Sequence, residues 1–433
     1  RDFKNGSTRM LSKLNKGGGA LVMSKDGRNL YLLSGGQISK VDMNSGQLKG
    51  MSYNAEFEWK KPEERAYLFD HVWQQVVDKF YDPTIHNIDW AFYKKEYARF
   101  LPYINNNYDF AEMLAELLGE LNASHTGASY KGGGSSSQTA ALGVFYDETF
   151  DGDGLKIKEI LEKGPLDLTS GKIKPGMIIR KINNQEIKKG QDYFQILEDL
   201  SGKRVMLTIY DPSAKKEWEE YVKPTTYGNQ NGLLYNRWVK QRQEMVEKLS
   251  NGKIGYVHVK SMDSPSFRKV YSEILGKYRN KEAIIVDTRY NGGGWLHEDL
   301  LHLLSGKKYA EFVPRGQFIG EDPFTQWNKP SAVLVSESNY SNAHGFPWAY
   351  KELGLGKVIG MPVPGTMTAV WWETLMDPSL VFGIPQVGCR DMRGVFGENT
   401  QLNPDIEVYN SPEDFINGHD TQLERAVKEM MKK

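Results

Sequence analysis

Four runs in the second half of the chain constrain its fold most: "GKIGYVHVKSM", "EAIIVDTRYNGGG", "PSAVLVSES" and "KVIGMPV". They hold apolar residues at consecutive positions, whereas a strand with one wet face alternates. Strands apolar on both faces belong in a mostly parallel sheet covered on both sides. Such a sheet needs crossovers, and helical patterns lie between the runs: "SFRKVYSEILGKYRN", "LHEDLLHLL" and "AHGFPWAYKELGL". A fifth strand, "DIEVYN", and a last helix, "DTQLERAVKEMMKK", follow. Residues 227–433 are therefore predicted to be one α/β domain.

With 433 residues the chain holds more than this domain. In 1–56, short alternating runs separated by "KDGR", "GG" and "NSG" predict a four-stranded β-meander. It reads equally as the last part of a β-propeller, a remnant of one, or as a small sheet packed on its neighbour. Residues 57–130 show i, i+3, i+4, i+7 apolar spacing, starting at "PEE", and predict a helical domain. Gly- and Ser-rich 131–140 predicts a linker. Residues 141–226 alternate strands with short helices. There "GKIKPGMIIRKINNQEI" resembles the strand-turn-strand core of a PDZ domain in its bacterial arrangement. That resemblance puts Leu142, Gly143 and Val144 where PDZ domains hold a peptide, backbone N–H groups nesting its carboxylate and the peptide adding as a strand. The other reading is a PDZ domain that only packs on its neighbours.

Composition excludes several classes. Lys plus Arg equals Asp plus Glu at 55 each, so there is no basic footprint for nucleic acid. No run of apolar residues is long enough for a membrane span. One cysteine, Cys389, allows neither an internal disulfide nor a Cys-based metal site. The histidines form no H-E-x-x-H, and His297 and His302 lie five apart, off a common helix face, so neither metal nor cofactor is expected. The opening "RDFKNGSTRM" has no initiator Met and no signal-peptide core. It suggests a processed chain or a piece of a longer one.

Four stretches carry candidate chemistry. "DTRYNGGGW" puts three glycines between a buried strand and a helix, a turn whose free N–H groups suit an oxyanion better than a phosphate, since no Walker lysine follows. Ser341 in "SNYSNAHGFP" follows the next buried strand and precedes a helix, as a nucleophile or as a helix cap. "LNASHTGAS" offers Ser124 and His125, the latter a general base if the fold brings it to Ser341. Glu398 in "VFGENTQLNPDIEV" reads either as a carboxylate orienting that base or as a surface turn residue.

Together "SHTGA", "DTRYNGGG", "SNAHGFPWAYKELGLGKVIGMPVPGT" and "ENTQLNPDIEV" resemble, in order and spacing, the C-terminal half of a tricorn-type serine peptidase. The resemblance covers nearly the whole chain and implies a crotonase- or ClpP-like ββα peptidase domain. It implies a tetrad: Ser341 as nucleophile, His125 as general base, and Ser124 linking His125 to Glu398. The N–H groups of Gly294 and Asn342 would form the oxyanion hole. Two departures stand out. Asn342 replaces the family's frequent Asp, which a backbone donor tolerates, and Gln401 stands near a frequent Gly beyond Glu398.

Substrates implied are peptides or oligopeptides. In "YAEFVPRG" the resemblance puts Phe312 at a specificity position, with Glu311 beside it. Phe312 points to an apolar preference before the cut and Glu311 to a basic one, the apolar being preferred here. The full-length form is expected to be a homo-oligomer. The compartment stays open between an exported, periplasmic setting, the favoured one, and a cytoplasmic one. Two other readings are a Ser/Lys carboxyl-terminal processing peptidase and a peptide-binding PDZ scaffold with an inactive peptidase domain. The first needs a lysine where "GMPVPGTMTAV" has none, since Lys351 and Lys357 come too early. The second is opposed by the intact Ser, His, Ser and Glu.

Overall fold

The structure is a computed structural model that describes residues 5–8, 10, 19–54, 56, 58–133, 137–169 and 171–432. Much of the opening "RDFKNGSTRM" and residues 134–136 of the expected linker lie outside the described residues. The chain divides into two compact units between Glu64 and Arg65.

In the first unit, β1 (Leu21–Met23), β2 (Asn29–Ser34), β3 (Gln37–Asp42) and β4 (Leu48–Met51) form an antiparallel sheet in chain order. Gly35 and Gly36, both at positive φ, form a two-residue turn that pairs Ser34 with Gln37. Such turns match the twist of a hairpin and favour glycine at both positions.

The boundary falls within helix α1 (Lys61–Lys79), and α2 (Trp90–Ala98) and α3 (Asn107–Gly119) follow in the second unit. Their apolar faces bury Leu68, Phe69, Val72, Phe110, Leu114 and Leu117 in one core. Strand β5 (Gly127–Tyr130) leaves that bundle, and β6 (Ala140–Ala141) follows. Next come β7 (Val144–Tyr146), β8 (Leu155–Ile160), β9 (Ile178–Ile182), β10 (Gln185–Glu186), β11 (Val205–Asp211) and β12 (Lys216–Val222). They form an antiparallel sheet ordered β12-β11-β9-β8-β7, with β10 on β9. Its core is Ile157, Ile179, Ile182, Leu207 and Ile209. The short β13 (Thr225–Thr226) pairs with β6, closing this segment on itself.

Helix α4 (Tyr227–Leu249) falls where the hydropathy reading places no element. It buries only Val239, Arg242 and Val246, one narrow stripe on a polar helix. The remaining elements are β14 (Ile254–His258), α5 (Ser264–Ser272), β15 (Ala283–Asp287), α6 (His297–Leu304), β16 (Ala310–Phe312) and β17 (Gly320–Asp322). They continue with β18 (Ser331–Val335), α7 (Asn342–Glu352), β19 (Lys357–Gly360), β20 (Thr368–Thr374) and β21 (Leu380–Gly388). The last are β22 (Ile406–Glu407), α8 (Pro412–Ile416) and α9 (Thr421–Met430).

The expected parallel sheet is present, in the order β14-β15-β18-β19-β22, every pairing parallel. Alternate residues serve two cores, as the pleat requires. Val257, Ile284, Val286, Val333, Val335 and Val358 pack with α5, α6 and α7. Tyr256, Ile285, Ala332, Leu334 and Ile359 pack with α4 and α9. Truncating one such side chain, for example Leu334→Ala, costs roughly 2–5 kcal/mol. The hairpin β20–β21 extends outside this sheet. Its Leu380, Phe382 and Ile384 enter the core of α1–α3, and β5 pairs along β21. The helical segment and the α/β segment thus share one core, and the loop before β5 is carried to the C-terminal ends of the parallel strands.

Candidate active site

Strand β15 ends in a buried polar knot. Arg289 is fully buried and bonds Asp287 at 2.7 Å and Asp420 at 2.8 Å, so its charge is compensated on two sides. From there the chain turns through Asn291, whose Oδ1 accepts the Gly293 N–H at 2.8 Å and whose Nδ2 donates to Val259 O at 2.8 Å. Gly293 and Gly294 have φ of +96° and +134°. A Cβ on Gly293 would lie 2.6 Å from Ser341 Cβ, and one on Gly294 2.2 Å from Met262 O. Only glycine lets this turn touch both neighbours. Met262 N–H donates to Gly293 O, and Trp295 N–H to Met262 O. That pairing leaves the Gly294 N–H out of the ladder.

Ser341 stands at the start of α7 with φ +56° and ψ −126°, and its side chain makes no capping bond. A serine in that backbone region is strained, which the cap reading does not require. Its N–H donates to Thr366 Oγ1 at 2.9 Å. Thr366 N–H in turn donates to Nδ1 of the buried His344 at 3.2 Å. Asn342 holds the turn from the other side. Its Oδ1 accepts the N–H groups of Leu296 (2.8 Å) and His297 (3.0 Å), and its Nδ2 lies 2.8 Å from His297 Nδ1. With Oδ1 fixed by two backbone donors, Nδ2 must donate, so His297 accepts at Nδ1 and carries its proton on Nε2.

Ser124 and His125 arrive on the loop between α3 and β5. The Ser124 N–H donates to Glu398 Oε1 at 2.5 Å and its hydroxyl to Oε2 at 2.9 Å. Ser124 Oγ lies 2.7 Å from His125 Nδ1. Thr368 Oγ1 stands 3.0 Å from Ser124 Oγ and 3.1 Å from His125 Nδ1. His125 itself is at φ +61°. Its N–H donates to the Tyr340 hydroxyl at 2.7 Å, and the two rings pack tilted at 36° with centroids 4.7 Å apart. The proton order follows from valence. The carboxylate accepts the Ser124 O–H, a lone pair of Ser124 Oγ accepts the His125 Nδ1–H, and Nε2 is left as acceptor. Burial holds His125 below the ordinary imidazole range. Burial also pushes Glu398 up, against the hydrogen bonds from Ser124 that pull it down.

His125, Gly294, Ser341 and Asn342 all line one cavity of about 330 Å³. Thr368, Trp295, His297, Gly345, Trp348, Met367, Ala369, Val370, Val387 and Cys389 complete its wall. No lysine is among them. Lys351 is bound to Asp405 at 3.2 Å and to Asn403 O at 2.9 Å. Glu398, read earlier as either an orienting carboxylate or a surface turn residue, is buried.

Phe312 and Glu311 do not line this cavity. They sit on the β16–β17 hairpin, where Phe312 stacks on Phe324 at 5.6 Å and Glu311 pairs with Lys308. Leu142 and Val144 are buried, and the Gly143 N–H donates to Gln230 Oε1 of α4 at 3.1 Å. Tyr340, Thr366 and Thr368 were not singled out from the sequence, and His297 was weighed there only as a metal ligand. Tyr340 neighbours Ser341 in "SNYSN", the one signal that points to it; the two threonines lie in a loop and at a strand start without periodicity. Among the described residues no group of His, Cys, Asp and Glu is placed to hold a metal ion, and no helix is long and apolar enough to cross a membrane.

The sequence matches the model of peptidase family S41 over residues 253–408 and that of the tricorn protease C1 domain over residues 61–119. It is 24% identical to Tricorn protease of Thermoplasma acidophilum, covering 84% of this chain and 34% of that protein. It is 25% identical to a Putative Tricorn-like protease C-terminal subunit of Sulfurisphaera tokodaii, covering 96% of this chain and 49% of that one. The chain thus spans between a third and a half of the length of these relatives. In the crystal structure of the tricorn protease the same fold recurs, with a TM-score of 0.81 at 19% identity, over 95% of this chain and 41% of that one.

Proposed function

The chain is a tricorn-type peptidase of family S41, and on that premise we propose that it hydrolyses peptides through an acyl-enzyme on Ser341. The observation that carries this is the unbroken line of hydrogen bonds from Glu398 through Ser124 to His125, ending at the cavity that Ser341 also lines. His125 Nε2 takes the Ser341 hydroxyl proton as Oγ attacks the scissile carbonyl carbon. The oxyanion that forms is held by the N–H groups of Gly294 and Asn342. The C–N bond then breaks, and His125 returns the proton to the departing amine. Water, deprotonated by the same imidazole, attacks the ester and releases the acid, restoring Ser341.

The remaining parts of the reading belong with it. The 227–433 segment is a crotonase-like peptidase domain, supported by its parallel sheet with Ser341 at the strand ends. Residues 141–226 are a PDZ domain, supported by the six-stranded sheet; its Leu142-Gly143-Val144 loop is buried and its Gly143 N–H taken by Gln230, which favours the reading in which it packs on its neighbours. The 1–56 meander is one propeller blade, supported by exposed Leu21, Val22, Met23, Leu48 and Met51 on its outer strands. Residues 57–130 are the helical domain that delivers Ser124 and His125, and 131–140 is its linker. The full-length protein is a homo-oligomer acting on oligopeptides. The Ser/Lys alternative is disfavoured by the lysine-free cavity wall.

The test is labelling with a fluorophosphonate probe, located by mass spectrometry in wild type and Ser341→Ala. A label on Ser341 that vanishes in the variant is expected. A folded wild-type protein that takes no label would overturn the proposal in favour of a binding role.

A further inference from the structure

We infer that the peptidase cuts after a bulky apolar residue, whose side chain seats against Trp348, Met367, Val370 and Val387 over Gly345. The inference rests on the peptidase reading and deepens it by naming the substrate class. Asn342, Gly345 and Trp348 recur every three residues along α7, so one face of the helix that starts beside the nucleophile runs along the cavity. The scissile carbonyl oxygen is held at the first residue of that helix. One turn on from that residue the cavity is lined by Gly345, and there we seat the side chain attached next to that carbonyl. Opposite stands the β20–β21 hairpin, where Ala369 and Val387 are paired across the strands.

The wall's chemistry selects the ligand. It contains no Asp or Glu, so an Arg or Lys side chain would lose its hydration without gaining a counter-charge. Its bulk is indole, thioether and valine, which suit aromatic and large aliphatic side chains.

Gly345 is the specificity-determining position. It is buried inside a helix, where glycine is less favourable than alanine. Neither its φ nor its neighbours demand glycine. A Cβ would meet Met367 Cε at 3.7 Å and Asn342 Nδ2 at 3.8 Å, both ordinary contacts. Those two neighbours are themselves cavity lining, so a side chain there would occupy cavity space. Glycine keeps that space for substrate.

The experiment is cleavage-site mapping of a peptide library by the purified chain, followed by matched substrates with Phe, Ala or Arg before the cut. Wild type is expected to cut after Phe, Tyr, Leu or Met. Gly345→Val is expected to lower the Phe-to-Ala ratio of kcat/KM by at least about tenfold. Val370→Asp, which puts a carboxylate on the half-buried wall, is expected to admit Arg and Lys. Cleavage after Arg or Lys by wild type, or unchanged ratios in both variants, would overturn the inference while leaving the peptidase reading intact. No cleavage and no fluorophosphonate label on Ser341 would remove both.

Discussion

Glu398 receives both hydrogen bonds that Ser124 can donate, one from its N–H at 2.5 Å and one from its hydroxyl at 2.9 Å. That double acceptance fixes the direction of every proton between Glu398 and His125. Glu398→Gln breaks it, because an amide offers one acceptor and one donor to two donors. The Ser124 hydroxyl must then turn, donate to His125 Nδ1, and leave the proton on Nε2. This is the tautomer that cannot accept from Ser341. The expected result is a fall in kcat of about 10²–10⁴-fold with KM little changed. The imidazole ¹⁵N shifts of His125 should move to the Nε2–H form. A purely structural role for Glu398 would not move them.

The pH profile follows from the same pair. The proposed mechanism needs His125 neutral and Glu398 ionised. Burial holds His125 below its ordinary value of 6.5 and Glu398 above its ordinary 4.5. Activity should therefore fall as pH drops, with the His125 limb below pH 6.5 and the Glu398 limb above pH 4.5. A His125 limb, identified by its imidazole ¹⁵N titration and centred above pH 6.5, would contradict this.

Much of this architecture is legible in the sequence, and the reason is physical. Val286, Val333 and Val335 sit in strands buried on both faces, which leave an unbroken apolar run. Ser341 and the glycine turn follow such runs directly, so local order carries them. Ser124 and Glu398, 274 residues apart, carry no local sign of each other and were connected only through the family resemblance. Helix α4 escaped because its buried stripe is three residues, one of them Arg242. Phe312 and Glu311 owe their expected place to the family resemblance alone, which runs through a loop there. Hairpin pairing and the stack on Phe324 decide where those side chains go, and neither is written in the local pattern.

Gly293 is where the glycine turn and Ser341 touch. Alanine there puts a Cβ 2.6 Å from Ser341 Cβ and 2.8 Å from Tyr340 O, at a φ of +96°. Backbone lies on one side and the Ser341 Cβ on the other, so neither yields cheaply. Gly293→Ala is expected to abolish fluorophosphonate labelling and lower the melting temperature. Gly345→Ala, where the new contacts begin at 3.7 Å, should fold as wild type does. Equal melting of the two glycine variants would show that the turn relaxes more freely than its contacts allow.

His344 links stability to pH. It is 1% exposed, accepts the Thr366 N–H, and burial pushes it down to about 4. The unfolded chain binds this proton below about 6.5, the folded chain only near 4. Between those values the unfolded state holds more protons, so stability falls as pH drops and levels off below 4. The cost by pH 4 is about 3 kcal/mol. His344→Asn keeps an acceptor for Thr366 and removes the titration. Its melting temperature should fall less steeply than that of wild type from pH 7 to pH 4, and parallel curves would reject the assignment.

Asp420 does two jobs in one buried place. It caps α9 by accepting the Leu423 N–H at 3.1 Å, and it pairs with Arg289 at 2.8 Å and Arg242 at 3.4 Å. Asp420→Ala removes cap and charge together. The arginines are then left with Asp287 as the one buried carboxylate bonded to Arg289 among the described residues. Breaking a buried pair this way costs roughly 3–5 kcal/mol, and a lost cap about 1 kcal/mol more. Asp420→Asn keeps an oxygen for Leu423 and should recover only the smaller part. Arg289 begins the turn to Gly294, and its carbonyl accepts from His258 Nε2 at 3.0 Å. Both variants should therefore slow labelling of Ser341 even below their melting temperatures. If Asp420→Asn melts and labels as wild type does, the buried charge pair neither stabilises the strand nor orders the turn.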